Sequence, residues 1–214
     1  MSRFPRRFLP FLSLVLLGFS CGTYPHALAT TGNPDCVKKF KPVFGEIMYR
    51  TSVDVVGKHL SGLLLVKTMP DSSIRMVFTS ELGFGFFDFG FLPGDQFKVF
   101  QVTPQMNRKA ILKTLRKDFD LILFRHADPA NYFSLRDSQV VYNGFRQSSG
   151  SNYYITDTAC RQLIKMQRAS SHKPVMEAWM QPADGRDAPD SIFIRHLNFD
   201  FTISLKKIST IANP

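Results

Sequence analysis

The side chains able to do chemistry in this sequence are few and widely spaced. Five histidines, His26, His59, His126, His172 and His196, stand far apart, and none has a histidine four residues away. A metal site would therefore need tertiary convergence that spacing does not signal. Ser80 and Ser149 lack the flanking glycines of a nucleophile elbow. Asp88-Phe89-Gly90 copies a metal-binding tripeptide of protein kinases, yet neither a Gly-rich loop with its lysine-bearing strand nor a His-Arg-Asp loop accompanies it. Gly83-x-Gly85 lacks the third glycine and the strand-to-helix setting of a dinucleotide site. Cys160 can be grouped on paper with His196 and Asp200 as a thiol triad, although a disulfide or a buried thiol is the ordinary state of a secreted cysteine. The expectation is of no catalytic residue, no metal and no cofactor, in a protein that is not an enzyme.

One cysteine has a more specific setting. Met1 to Ser20 begins with Arg3, Arg6 and Arg7 and continues in a short apolar run, Phe8 to Phe19, which is the layout of a secretory signal. Leu16-Leu17-Gly18-Phe19-Ser20-Cys21-Gly22 follows. A cysteine directly after the apolar run, behind a small Ser20 and with Gly18 three residues upstream, resembles the lipobox of bacterial lipoproteins. The resemblance implies cleavage before Cys21 and acylation of its sulfur and amine by chains such as palmitate. Phe19 departs from the common Leu-Ala-Gly-Cys form, and looser versions of this kind resemble lipoproteins of the Bacteroidetes. Ala27-Leu28-Ala29 offers an alternative cut for ordinary signal peptidase, well past the apolar run. Several acyl chains, each adding about 0.8 kcal/mol per buried methylene, anchor a protein stably where one does not. No acidic residue follows Cys21 through His26. By resemblance to known sorting signals, that implies an outer-membrane lipoprotein facing the periplasm.

Composition narrows the classes further. A chain of 214 residues, 44% hydrophobic and 21% charged, suits one globular domain with a tail rather than a disordered or fibrous protein. No apolar run reaches the roughly 18–20 residues that span a bilayer as a helix, which excludes a multi-span membrane protein. Three cysteines are too few for a four-thiolate zinc ribbon. The net charge of +10 falls to +7 once Arg3, Arg6 and Arg7 leave with the signal. Basic charge suits nucleic acid or anionic lipid. A secreted chain rarely meets nucleic acid, so the expected partners are the membrane, through the acyl anchor, and lipids or other lipoproteins. Cys36 and Cys160 remain in an oxidising compartment, where pairing and two separate thiols are both open.

The elements that must position anything apolar read mostly as strands. Residues 21–40 form a tether, with a short helical entry at Asp35 to Phe40, and residues 41–214 form the domain. Ile47, Tyr49, Thr51, Val53 and Val55 alternate with Met48, Arg50, Ser52 and Asp54, as in a half-buried strand. Ser61–Lys67, Ile74–Thr79, Leu82–Phe91 and Phe97–Val102 continue an antiparallel meander with hairpin-length turns. Asn107 to Phe124 is the one long helical signal: Ile111, Leu112, Leu115, Phe119, Ile122 and Leu123 form an apolar stripe, and Arg108, Lys109, Lys113, Arg116 and Lys117 take the remaining positions. Such a basic face can touch anionic lipid or simply be solvated. Strands resume at Gln139–Tyr142, Tyr153–Thr156, Gln162–Arg168 and Val175–Met180. After a loop at Pro182–Pro189, Ile192–Leu197 pairs with Phe201–Ile208.

The predicted architecture is mainly β: about ten antiparallel strands in a single curved sheet, a half-open barrel covered by the inserted amphipathic helix. With Ser61-Gly62-Leu63-Leu64, Phe78-Thr79-Ser80-Glu81-Leu82-Gly83 and Phe86-Phe87-Asp88-Phe89, this layout resembles the LolA/LolB-like superfamily, nearest to an uncharacterised Bacteroidetes lipoprotein branch. The resemblance covers about Phe44 to Ile208. It implies a carrier or chaperone-like half-barrel whose hollow accommodates acyl chains of lipids or lipoproteins. Phe87, Phe89 and Phe91 facing Leu115, Phe119 and Ile122 are the expected lining, assigned from alternation, with the Phe84/Phe86 face as the competing choice. A filled core is the other reading, because aromatic stripes at strand spacing usually pack on one another. That reading leaves an anchored structural or envelope-assembly factor without a ligand. Outer-membrane receptors of this fold carry an exposed apolar loop residue that enters the bilayer, and no residue here is assigned to that role from the sequence.

Overall fold

The computed structural model describes Tyr24, Pro25, residues 27–181 and residues 188–208. The expected signal, Cys21 and most of the Pro182–Pro189 loop lie outside these residues. The chain runs β1 (Leu28–Ala29), α1 (Asp35–Lys38), β2 (Glu46–Val55), β3 (Lys58–Thr68), β4 (Ile74–Thr79), β5 (Gly85–Leu92) and β6 (Gln96–Val102). Then come α2 (Lys109–Ile122) and a single 3-10 turn at Pro129–Asn131. The remaining strands are β7 (Tyr132–Arg136), β8 (Val140–Arg146), β9 (Ser151–Asp157), β10 (Leu163–Ala169), β11 (Pro174–Gln181), β12 (Ser191–His196) and β13 (Phe201–Lys207).

All thirteen strands belong to one antiparallel sheet, in the order β1-β7-β8-β9-β10-β11-β12-β13-β2-β3-β4-β5-β6. The two meanders join where β13 lies beside β2, with Phe201 opposite Val55 and Leu205 opposite Thr51. The sheet does not close, because β1 and β6 are its two edges. The first meander therefore ends at one edge, and the second begins at β7, next to the other edge strand β1. A chain leaving β6 must cross the concave face to enter β7, and α2 makes that crossing. Register shifts at Phe78/Thr79, Asp88/Phe89 and Arg168/Ala169 bend the strands and help curl the sheet.

The concave face is the core. Tyr49 of β2, Leu64 of β3, Phe78 of β4, Phe89 and Phe91 of β5 and Ile203 of β13 are buried there, against Leu115, Phe119 and Ile122 of α2. Each strand residue lies at the spacing of two that alternation predicts. Helix α2 ends on a left-handed Phe124 (φ 56°). The Arg125 amide donates to the Asp120 carbonyl at 3.0 Å and the Phe124 amide to the Leu121 carbonyl at 3.1 Å, the bond pair of a Schellman ending. Glycine is usual at that position; here burial of Phe124 and its stacking on Tyr154 at 4.3 Å hold the conformation.

The sheet is larger than the expected ten strands for two reasons. Strand β7 has Ser134 as its buried residue between half-buried Phe133 and Leu135, so no apolar alternation marks it. The segment expected to be a free tether is also laid on the domain. Leu28 and Ala29 pair with Arg136 and Leu135 as β1. Tyr24 donates to the Gln167 side chain at 2.6 Å and packs edge-on against Tyr153, beside Phe133 and Tyr142. Burial pushes the Tyr24 phenol up to about 12.

Gly150, in the β8–β9 turn, has a left-handed φ of 79°, and a Cβ there would lie 2.0 Å from the Ala169 carbonyl oxygen. Gly150→Ala is expected to destabilise the fold by about 1–3 kcal/mol. A urea titration that left the unfolding midpoint unchanged would contradict this close approach.

Candidate functional site

Under the N-terminal half of α2 lies a cavity of about 330 Å³. Its floor is Thr51, Val53 and Val55 of β2, Leu60 and Leu64 of β3, and Phe201, Ile203 and Leu205 of β13. Phe78 and Phe87 form a side, and Ala110, Ile111, Thr114, Leu115 and Phe119 of the helix form the roof. Ala110 and Phe199 are exposed as well as lining, which marks the opening. Apart from the Thr51 and Thr114 hydroxyls, these side chains offer carbon, plus the Met106 sulfur. The Thr51 hydroxyl already donates to the Tyr49 carbonyl at 3.3 Å. Such a surface favours an apolar chain through area removed from water and has little to attract a charged group.

The expected lining divides into two parts. Phe87, Leu115 and Phe119 face the cavity. Phe89, Phe91 and Ile122 are fully buried in the packed half of the core instead. Phe87 stacks on Phe89 at 4.2 Å, and Phe119 meets Phe87 at 6.0 Å and Phe91 at 6.1 Å. The C-terminal half of α2 thus sits on solid aromatic packing while its N-terminal half roofs open space. On the opposite face of β5, Phe86 is half-buried; Phe84, just before the strand, is 62% exposed.

Two buried carboxylates organise the C-terminal half of α2, and neither was singled out from the sequence. Asp118 is fully buried; its Oδ2 lies 2.7 Å from His196 Nε2 on β12, and its Oδ1 lies 3.2 Å from Arg168 Nη2 on β10. Asp120, also buried, is surrounded by Arg125 at 3.0 Å, His126 at 3.2 Å and Arg116 at 3.5 Å. Carboxylates in the last turns of a helix oppose its dipole, and burial adds desolvation, so each needs cations close by: Asp120 draws them from its own sequence neighbourhood, Asp118 from the sheet. Two acids near the end of an otherwise basic helix were the available signal. The hydrogen bond that the His126 imidazole donates to Asp120 raises it above its ordinary value, against burial, and Asp95 adds to the effect.

The chemistry considered on paper resolves differently. Cys160 is bonded to Cys36, with Cα atoms 6.0 Å apart across 124 residues of sequence, so it is no nucleophile, and His196 serves Asp118 instead. Asp88 of the kinase-like tripeptide takes a two-pronged bond from Arg75, at 2.8 and 2.6 Å. Asp95, Asp120 and His126 bring ligand atoms within 4.8 Å of one another. Arg116 and Arg125 already neutralise those carboxylates, at 2.7 Å from Asp95 and 3.0 Å from Asp120, so the donor set suits an ion-pair cluster better than a metal.

The β4–β5 turn carries exposed apolar side chains. Leu82 there is 98% exposed, beside Phe84, and Gly83 takes a left-handed φ of 84° between them.

No family model matches this sequence, and no curated protein matches it. Among solved structures it is similar to a LolA superfamily protein from Nitrosomonas europaea, with 9% identity, a TM-score of 0.49, and coverage of 84% of this chain and 93% of that one. It is similar to an outer membrane lipoprotein-sorting protein domain from Vibrio parahaemolyticus, with 8% identity, a TM-score of 0.45 and coverage of 85% and 93%. A DUF1329 family protein from Desulfovibrio piger has 8% identity and a TM-score of 0.39, over 85% and 90% of the two chains. Overlaps of that size transfer no residue role to this chain.

Asp118→Asn is expected to lower the unfolding free energy by about 3 kcal/mol, because it strips a largely buried Arg168 of its counter-charge and disturbs the hydrogen bond to His196. Chemical denaturation measures this, and a loss below the level of an exposed pair would contradict the lock. His126 supplies a pH signature. Its folded value is raised, so its stabilisation is complete below about 6.5 and is lost as pH rises through the folded value. The gap between the urea midpoints of the native protein and His126→Gln should therefore shrink above that pH. A pH-independent gap would exclude the charged His126–Asp120 pair.

Proposed function

We propose that this protein is a lipid-anchored component of the bacterial cell envelope, held at the periplasmic face of the outer membrane by acyl chains on Cys21. In this reading it shelters acyl chains of lipids or lipoproteins beneath α2. The observation that carries the proposal is the apolar cavity, which opens to solvent beside Ala110 and Phe199. A filled core would have no reason to leave apolar side chains around open space, since close packing gains dispersion contacts. The cavity volume of about 330 Å³ suits part of an acyl chain rather than a whole lipid. A longer chain would extend through the opening or lift the N-terminal half of α2. The exposed Leu82–Phe84 tip supports contact with a bilayer surface, where isolated apolar side chains gain area removed from water. The layout's resemblance to the LolA/LolB-like superfamily agrees with a carrier role.

One observation favours the second reading, an assembly factor that uses its outer surface. On the other side of the sheet, Trp179 stacks on Phe193 at 5.8 Å within a groove edged by Lys39, Lys41 and Arg161. Such a patch suits a protein partner better than it suits an acyl chain.

Native mass spectrometry with lipid extraction, on Cys21→Ala protein from an envelope fraction, distinguishes the two. The carrier reading expects a stoichiometric fatty acid, phospholipid or lipopeptide. It also expects uptake of a fluorescent acyl probe that Ala110→Trp blocks without shifting the thermal midpoint. A clean apo mass with no probe uptake would overturn it and leave the outer-surface role.

A further inference from the structure

The helix that roofs the apolar cavity has a second, opposite face. Residues 110, 111, 114 and 115 turn toward the cavity; Lys113, Arg116, Lys117 and Asp120 fall on the other side of a 3.6-residue repeat. Against that side lies a separate crevice of about 440 Å³. Its other walls are the turn from Arg146 to Asn152 between β8 and β9, Arg168 of β10, and Asp95 with His126.

The charges around the crevice do not balance. Five Lys and Arg residues line it against two carboxylates. Arg116 is engaged by both, at 2.7 Å from Asp95 and 3.5 Å from Asp120, and His126 shares the same two acids. Lys113 and Lys117 have no ion pair among the described residues, whereas the Arg146 guanidinium turns away and sits 4.7 Å over the Phe133 ring. Arg168 spends one nitrogen on Asp118, while its buried Nη1 has no acceptor among the described residues. Burial lowers the Lys117 ammonium, and Arg168 and Lys113 lower it further, the response of a cation facing cations. Between these charges stand neutral donors: the Ser148 and Ser149 hydroxyls and the Asn152 amide. The turn that presents them is stiff, with the Gln147 amide donating to the Gly150 carbonyl at 3.0 Å and Gly150 pressed on the β10 backbone.

A concave site with excess cations, guanidinium groups and hydroxyl donors matches a compact, multiply charged oxyanion. We propose that this crevice binds a phosphoryl group, supplied either as free phosphate or as the headgroup of an anionic lipid, with Lys113 and Lys117 as its charge partners. The site is independent of the acyl cavity. It would stand if that cavity proved empty, and it would fall without affecting it.

The test has two arms at constant ionic strength: calorimetric titration with inorganic phosphate, and flotation with vesicles of phosphatidylglycerol in phosphatidylcholine. Lys113→Ala and Lys117→Ala should each weaken binding roughly tenfold, as expected for loss of a charge-assisted bond. Lys41→Ala, on the opposite side of the sheet, should leave binding unchanged, and thermal midpoints should stay put in all three. Saturable phosphate binding with that pattern assigns the site to a soluble phosphoryl ligand. Vesicle binding with that pattern, and no saturable phosphate binding, assigns it to a lipid headgroup. Absence of both, or binding indifferent to Lys113→Ala and Lys117→Ala, would overturn the proposal.

Discussion

Everything in this molecule depends on one crossing. The first meander ends on β6 and the second begins on β7, and these strands lie at opposite ends of an open sheet. The connection must therefore pass over the concave face, and an amphipathic helix is the form in which a chain can do so with its backbone bonds satisfied and an apolar stripe turned to the sheet. Strand β13 pairing with β2 makes the sheet continuous on the far side, so the helix spans a trough. A shorter connection could not reach, and a polar one would leave Phe89, Phe91 and Phe119 in water.

The helix is not held evenly along its length. At its C-terminal half, aromatic packing and the bonds of Asp118 to His196 and Arg168 fix it to β10 and β12. The Tyr154 hydroxyl adds a bond of 3.0 Å to the Leu121 carbonyl. At its N-terminal half, Arg108 provides no side-chain cap and the residues beneath are cavity lining. A rigid end and a lightly supported end on one helix provide a hinge-like distribution of contacts, with the apolar cavity under the end that is easier to move.

The two faces of α2 also separate two kinds of chemistry. Below it, side chains offer almost only carbon; beyond its opposite face, cations outnumber carboxylates. An amphiphile has the same two parts. The geometry keeps them apart by the width of a helix, so the cavity and the crevice read more naturally as separate sites than as one continuous groove.

Period-two alternation, a single basic amphipathic stripe and hairpin-length turns were enough to read a mainly β curved sheet with one inserted helix, because both signals depend on residues a few positions apart. The same local logic put Phe87, Phe89 and Phe91 together on one strand face. It missed β7, whose buried residue is a serine, and it took Leu28–Ala29 for tether, because two residues at a sheet edge have no pattern of their own. Tertiary structure alone decided the rest. Cys36 meets Cys160 across 124 residues, and His196 acquires Asp118 as a partner across 78. Whether a Phe lines a cavity or fills a core also depends on how far a helix sits from the sheet. That separation is set by side chains from six or more elements at once, and no window of sequence contains them.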